Sequence, residues 1–209
     1  MSRRVFTKAT LALVGAAALW GLVGCGQDKP AFKGVDITGA DYAQGFELSD
    51  QNGQVRTLKD FAGKAVVVFF GYTQCPDVCP TALQEMAQAK QLLGANADKL
   101  QGVFITVDPE RDTPELLKAY MANFGADFVG LHPTPEQLPK VTKDFKIYYK
   151  KVEGKTPTSY TMDHSAGSFT FDPQGRIRLY NRHARGAAAL AADVKILLRG
   201  KCSTPALHG

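Results

Sequence analysis

The chain has 209 residues, 44% of them hydrophobic and 22% charged, which excludes a disordered or fibrous protein and fits one globular domain with a full core. The net charge is +5, but residues 1–24 carry three of the positive charges (Arg3, Arg4, Lys8) and no negative one, leaving +2 on the remainder. So small a surplus gives no ground to expect a nucleic-acid partner.

The first 25 residues, "MSRRVFTKATLALVGAAALWGLVGC", open on basic residues and continue in an uncharged apolar run from Ala9 to Val23. That run is shorter than the ~20 residues that cross a bilayer, and it ends in small residues. The pattern predicts an export signal over residues 1–24 rather than a structural helix. Leu22-Val23-Gly24-Cys25 resembles a bacterial lipoprotein box, in which Cys25 is acylated. The expected location is therefore the bacterial cell envelope, with a lipid anchor in a membrane facing the periplasm. "SRRVFTK" also resembles a twin-arginine signal; a general secretory lipoprotein with two chance arginines is the alternative.

Residues 25–44 are mostly polar with scattered Gly and Pro, and read as a tether between lipid and domain. The domain is expected over 45–200, and 201–209 as a flexible tail with Cys202 as a dispensable thiol. "FELSD" and "QVRTL" around Gln51-Asn52-Gly53 predict a hairpin. "AVVVFFGY" (65–72) predicts a strand buried on both faces. "TALQEMAQAKQLLG" places Leu83, Met86, Ala87, Lys90 and Leu93 at helical spacing, with Gly94 as the stop. A second buried strand follows at 102–108, and a helix at 113–125 with Pro114 in its first turn. "DFVGL" is a short strand, and "TPEQLPKVTKDF" a weaker helix interrupted by Pro139. "KIYYKKVEG" alternates like a strand. "GSFTFDPQGRIRLYN" is a hairpin turning at Asp172-Pro173-Gln174-Gly175, and "GAAALAADVKILLRG" a closing helix. This order predicts an α/β fold: a thioredoxin-like mixed sheet flanked by helices, with an N-terminal hairpin extension.

The chemistry concentrates in "FFGYTQCPDVCPT" (69–81). Pro80 fits the first position of a helix, which predicts Cys79 at the N-cap and Pro76-Asp77-Val78 turning back to Cys75. Both sulfurs then sit at the positive end of a helix, which favours thiolate. The spacing itself leaves open a disulfide or a soft metal. A closed zinc site would need a second Cys/His pair at matching spacing, and none is present; two thiolates and one imidazole would suit copper. Of the four histidines, His208 lies in the tail, and His132 and His183 read as solvated loop residues. His164, in "TMDHSAGSFTFD", directly precedes the predicted hairpin and is the candidate third ligand. Asp163 beside it would orient its ring by a hydrogen bond, or simply form a turn. Asp108 and Asp112, in "VDPERDT", follow a strand at the same sheet edge and would border the site, although Asp112 could equally begin the next helix.

"GYTQCPDVCPTAL", "ITVDPERDTPELLKAY" and "DHSAGSFTFDPQGRIR" together resemble the Sco/SenC family of copper-binding proteins of cytochrome c oxidase assembly, in the family's order. The resemblance implies a thioredoxin-like fold that binds one copper, as Cu(I) or Cu(II), through Cys75, Cys79 and His164. It implies a chaperone that delivers copper to, or prepares, the dinuclear copper A centre of the oxidase; that subunit, or another copper carrier, would be the partner. Family members are often held by a transmembrane segment, which a lipidated Cys25 would replace here. The main alternative is a membrane-anchored thiol–disulfide oxidoreductase that reduces the cysteines of that centre with Cys75 and Cys79. A peroxidase of the peroxiredoxin type fits less well, because Thr73 stands two residues before Cys75 where that family places a threonine three before. A third alternative is a docking protein that uses the lysine-rich stretch 140–155.

Overall fold

The computed structural model describes residues 31–156 and 159–200. The strands are β1 (Val35–Asp36), β2 (Glu47–Asp50), β3 (Val55–Thr57), β4 (Ala65–Gly71), β5 (Leu100–Thr106), β6 (Val129–His132), β7 (Tyr149–Val152), β8 (Thr161–His164), β9 (Ser168–Phe171) and β10 (Ile177–Asn181). Four α-helices accompany them: α1 (Val78–Leu93), α2 (Pro114–Ala122), α3 (Gln137–Asp144) and α4 (Ala187–Leu198).

Eight strands form one mixed sheet in the order β1-β10-β9-β4-β5-β6-β2-β3. Its centre is β4 and β5, paired in parallel from Ala65↔Leu100 to Gly71↔Thr106, with every residue of both strands buried. Seven-residue runs without a polar side exist because helices cover both faces. Successive side chains alternate between the faces: Phe69 and Phe104 lie 6.3 Å apart on one, with Tyr120 of α2 against Phe104, while Phe70 meets Phe145, just past α3, at 5.1 Å on the other. The sheet is the mixed, helix-flanked one expected of a thioredoxin-like sandwich. The expected N-terminal hairpin is β2–β3, which extends the sheet beyond β6.

Three expectations change. Residues 31–44 are not a free tether. Val35 and Asp36 pair with β10, the N–H groups of Lys33 and Gly34 donate to the buried carboxylate of Asp193 (2.7 Å each), and Ala43 is fully buried. The domain therefore begins near residue 33 rather than 45. Pro139 does not interrupt its helix; it is the third residue of α3, where a backbone N–H has no intrahelical acceptor. The segment before the β9–β10 hairpin is itself a strand: β8 pairs antiparallel with β7, and these two form a sheet of their own, apart from the large one. No helix among the described residues is long and apolar enough to cross a membrane. Cys25, Cys202, the predicted signal and the predicted tail lie outside the described residues.

Candidate metal centre

The centre forms where β4 ends. Gly71 closes that strand with no side chain, and a Cβ there would lie 2.6 Å from the Cys79 sulfur and 2.9 Å from Phe104. The sulfur of Cys79 thus rests against strand backbone, fully buried, which only glycine permits. The chain then turns through Tyr72 to Asp77 and enters α1. The Thr81 N–H donates to the Asp77 carbonyl (3.1 Å), so Asp77, not Cys79, is the N-cap and the helix starts two residues earlier than expected. Val78, Cys79 and Pro80 fill the first three positions, whose N–H groups find no acceptor within the helix. Pro80 has none to lose. The Cys79 N–H donates to the Cys75 sulfur at 3.4 Å, so that sulfur takes the role of a capping oxygen.

His164 ends β8 and comes over these sulfurs. Its Nε2 lies 3.5 Å from Cys79 Sγ, and Nδ1 meets the Ser165 carbonyl at 3.0 Å. Edge-on contacts with Tyr72 (5.9 Å between centroids) and Phe69 (6.0 Å) hold the ring upright. One donor atom from each of Cys75, Cys79 and His164 lies within 4.8 Å of the other two. The two cysteines are not joined in a disulfide.

The two thiols differ sharply. A hydrogen bond from the Cys79 thiol, joined by His164 and by the N–H groups of Asp77 and Cys79, lowers Cys75 to about 3 against the cost of partial burial. Cys79 is pushed far up by the same hydrogen bond and by its burial. The pair is a partly exposed thiolate beside a buried thiol. Soft sulfur donors plus a borderline imidazole, with no carboxylate at ligand distance, suit copper better than a hard cation. The donor set fits the metal that the sequence suggested.

Asp163 does not join them. Neighbouring strand residues point to opposite sides, so while His164 faces the sulfurs Asp163 is exposed, and the Ser165 carbonyl meets Nδ1 in place of the expected carboxylate. Asp112 is fully buried and caps nothing; Thr113 caps α2. Its carboxylate accepts from the Thr73 N–H (3.0 Å), the Thr73 hydroxyl (2.5 Å) and the Thr106 hydroxyl (2.5 Å), tying the loop before Cys75 to the end of β5. Burial raises the carboxyl of Asp112 despite those three donors. Asp108 accepts from the Tyr160 hydroxyl (2.8 Å) and pairs with Arg111. His132 ends β6 and meets the Pro109 carbonyl at 3.2 Å, rather than lying solvated in a loop.

Sequence reasoning missed Gly71, Tyr72, Arg111, Tyr160 and Ser165. Only Gly71 carried a readable signal, since glycine inside a β-branched and aromatic run marks a close approach to backbone. Tyr72, Arg111 and Tyr160 act through contacts between distant segments, which no local pattern announces, and Ser165 acts on its neighbour through a backbone carbonyl that its residue type does not mark.

Residues 35–199 match the SCO1/SenC family model. A SCO2-like protein of Rickettsia felis is 36% identical over 168 residues, 78% of this chain and 82% of that protein. The structure of Bradyrhizobium japonicum ScoI with copper bound is similar at a TM-score of 0.67 and 42% identity, over 73% of this chain and 97% of the other. A SCO1/SenC family lipoprotein from Bacillus anthracis gives 0.65 and 25%, over 80% and 99%.

Proposed function

The chain belongs to the SCO1/SenC family, and from that premise we propose that it is a copper chaperone of the bacterial cell envelope. It binds one copper through Cys75, Cys79 and His164 and passes it to the copper A centre of cytochrome c oxidase. The Sco family is one of cytochrome c oxidase assembly proteins, and its copper-bound member from Bradyrhizobium japonicum is 42% identical to this chain. The observation that carries the reading is the convergence of three donor atoms within 4.8 Å of one another from segments 85 residues apart in sequence.

The geometry suits transfer. Copper would meet the Cys75 thiolate first, because that sulfur is both charged and reachable, and Cys79 would give up its proton on ligation. A recipient thiolate could then displace the three ligands one at a time. Export by the signal at 1–24 and acylation at Cys25 would hold the domain at the membrane, in line with the lipoprotein relative.

Anaerobic titration of the reduced protein tests this. One equivalent of copper should bind, and His164→Ala should weaken Cu(II) binding while Cu(I), which two thiolates can hold, changes little. Absence of stoichiometric binding would sink the proposal.

One observation favours a second reading. A reachable thiolate at Cys75 beside a buried thiol at Cys79 is also an attacking and resolving pair. As a reductase, Cys75 would attack a partner disulfide, and Cys79 would then displace the partner thiol as its own proton leaves. The domain would end oxidised and the partner reduced. Such exchange needs no imidazole, so full turnover in His164→Ala without copper transfer would support it.

A further inference from the structure

Cys79 sits in α1 and Cys75 in the loop that joins β4 to it, but His164 arrives on β8, whose only strand partner among the described residues is β7. Strand pairing therefore does not fix the imidazole over the sulfurs, and something else must. Arg111 lies between the two parts. Its Nη1 donates to the side-chain oxygen of Gln74, next to Cys75 (3.1 Å), and to the carbonyl of Tyr160, four residues before His164 (2.9 Å). Its Nε pairs with Asp108, which also accepts from the Tyr160 hydroxyl at 2.8 Å. The guanidinium stacks on the Tyr160 ring at 3.5 Å and lies 5.8 Å from Tyr72, the ring against which His164 stands.

We propose that Arg111 is a positioning residue that fastens the β7–β8 arm to the cysteine loop and so keeps His164 within ligand range. The role rests on the copper reading for its purpose, but the fastening itself is a property of the metal-free protein. Only a planar fork with several donors spans Gln74, Tyr160 and Asp108 at once; a lysine keeps the ion pair with Asp108 and loses the bridge. The buried Nη2 finds no acceptor among the described residues, so the placement is not the one that best satisfies the guanidinium there. What it achieves is the link between arm and loop. Lys151 of β7 also pairs with Glu110 at 3.8 Å, but both side chains are exposed and the pair does not reach Gln74.

The test compares Arg111→Lys with wild type by amide hydrogen exchange on the metal-free protein, then by copper affinity. Lys keeps Asp108 paired, which avoids the cost of a stranded buried carboxylate. Amides of β7 and β8 should exchange about tenfold faster, with β4 and β5 unchanged. Cu(II) should bind about 10–100-fold more weakly while Cu(I) changes by less than about threefold. Tyr160→Phe, which removes one hydroxyl and keeps the stacked ring, should shift both readouts the same way by less. Unchanged exchange in the arm, faster exchange throughout the fold, or equal weakening of both copper states would each overturn the proposal. A wild-type protein that bound no copper would refute the chaperone reading instead, and the exchange result would still decide what Arg111 does.

Discussion

The two halves of the candidate site are built by opposite means. Cys79 is fully buried, backed by the Gly71 backbone and set in the first turn of α1, so it moves only if the core moves. His164 ends a four-residue strand of a two-stranded sheet whose β7 partner is mostly exposed, and it is fixed by aromatic edges and by the cluster around Arg111. One ligand is set within the main sheet's core, and the other sits on a separate two-stranded arm held by aromatic and polar contacts. On the proposed copper-chaperone reading, that inequality would help the protein hold a metal and then surrender it.

The sharpest way to break the comparison is at the fixed side. Cys79→Ser replaces a soft donor with a hard one at the buried position and should abolish stoichiometric Cu(I) binding, measured against a competing chelator. Binding within tenfold of wild type would mean that the thiols are not the anchor. Gly71→Ala comes next. The added methyl meets the Cys79 sulfur and Phe104, so stability should fall by about 1–3 kcal/mol in denaturant unfolding, with copper affinity falling alongside. An unaffected variant would show that the sulfur has room the structure denies it.

Alkylation sharpens the contrast within the pair. Cys75 is held at about 3, against 9.0 for an ordinary thiol, so its thiolate persists down to that pH. Its reaction rate with iodoacetamide should therefore stay nearly flat from pH 8 to about pH 4, where an unperturbed thiol loses about tenfold per pH unit. Cys79, buried and protonated, should stay unmodified; equal labelling of both would contradict the asymmetry. The smallest effect belongs to Asp163→Ala. The Ser165 carbonyl, not this exposed carboxylate, meets His164 Nδ1, so copper affinity should change by less than about twofold.

Much of the molecule was legible in the sequence because its central strands are unusually plain. Ala65–Gly71 and Leu100–Thr106 are apolar runs that only a doubly covered sheet accepts, and Gly94 ends α1 at a φ of 58° as its position suggests. The cysteine pair and His164 stood out by chemistry. What sequence could not give was direction: Asp163 and His164 are neighbours, yet the pleat sends them to opposite sides. Nor could it separate Pro80 at the first helical position from Pro80 at the third, since both spare the helix a missing N–H. The N-terminal stretch looked like linker because its binding groups are backbone N–H, which composition does not register. Its acceptor, Asp193, is about 160 residues away.

X-ray absorption at the copper edge, recorded on the reduced protein loaded with one equivalent of Cu(II), tests the central claim most directly. Two sulfur neighbours and one imidazole nitrogen should surround the metal, and the imidazole scattering should vanish in His164→Ala while both sulfurs remain. A shell without sulfur, or an imidazole signal that survives the substitution, would contradict the account.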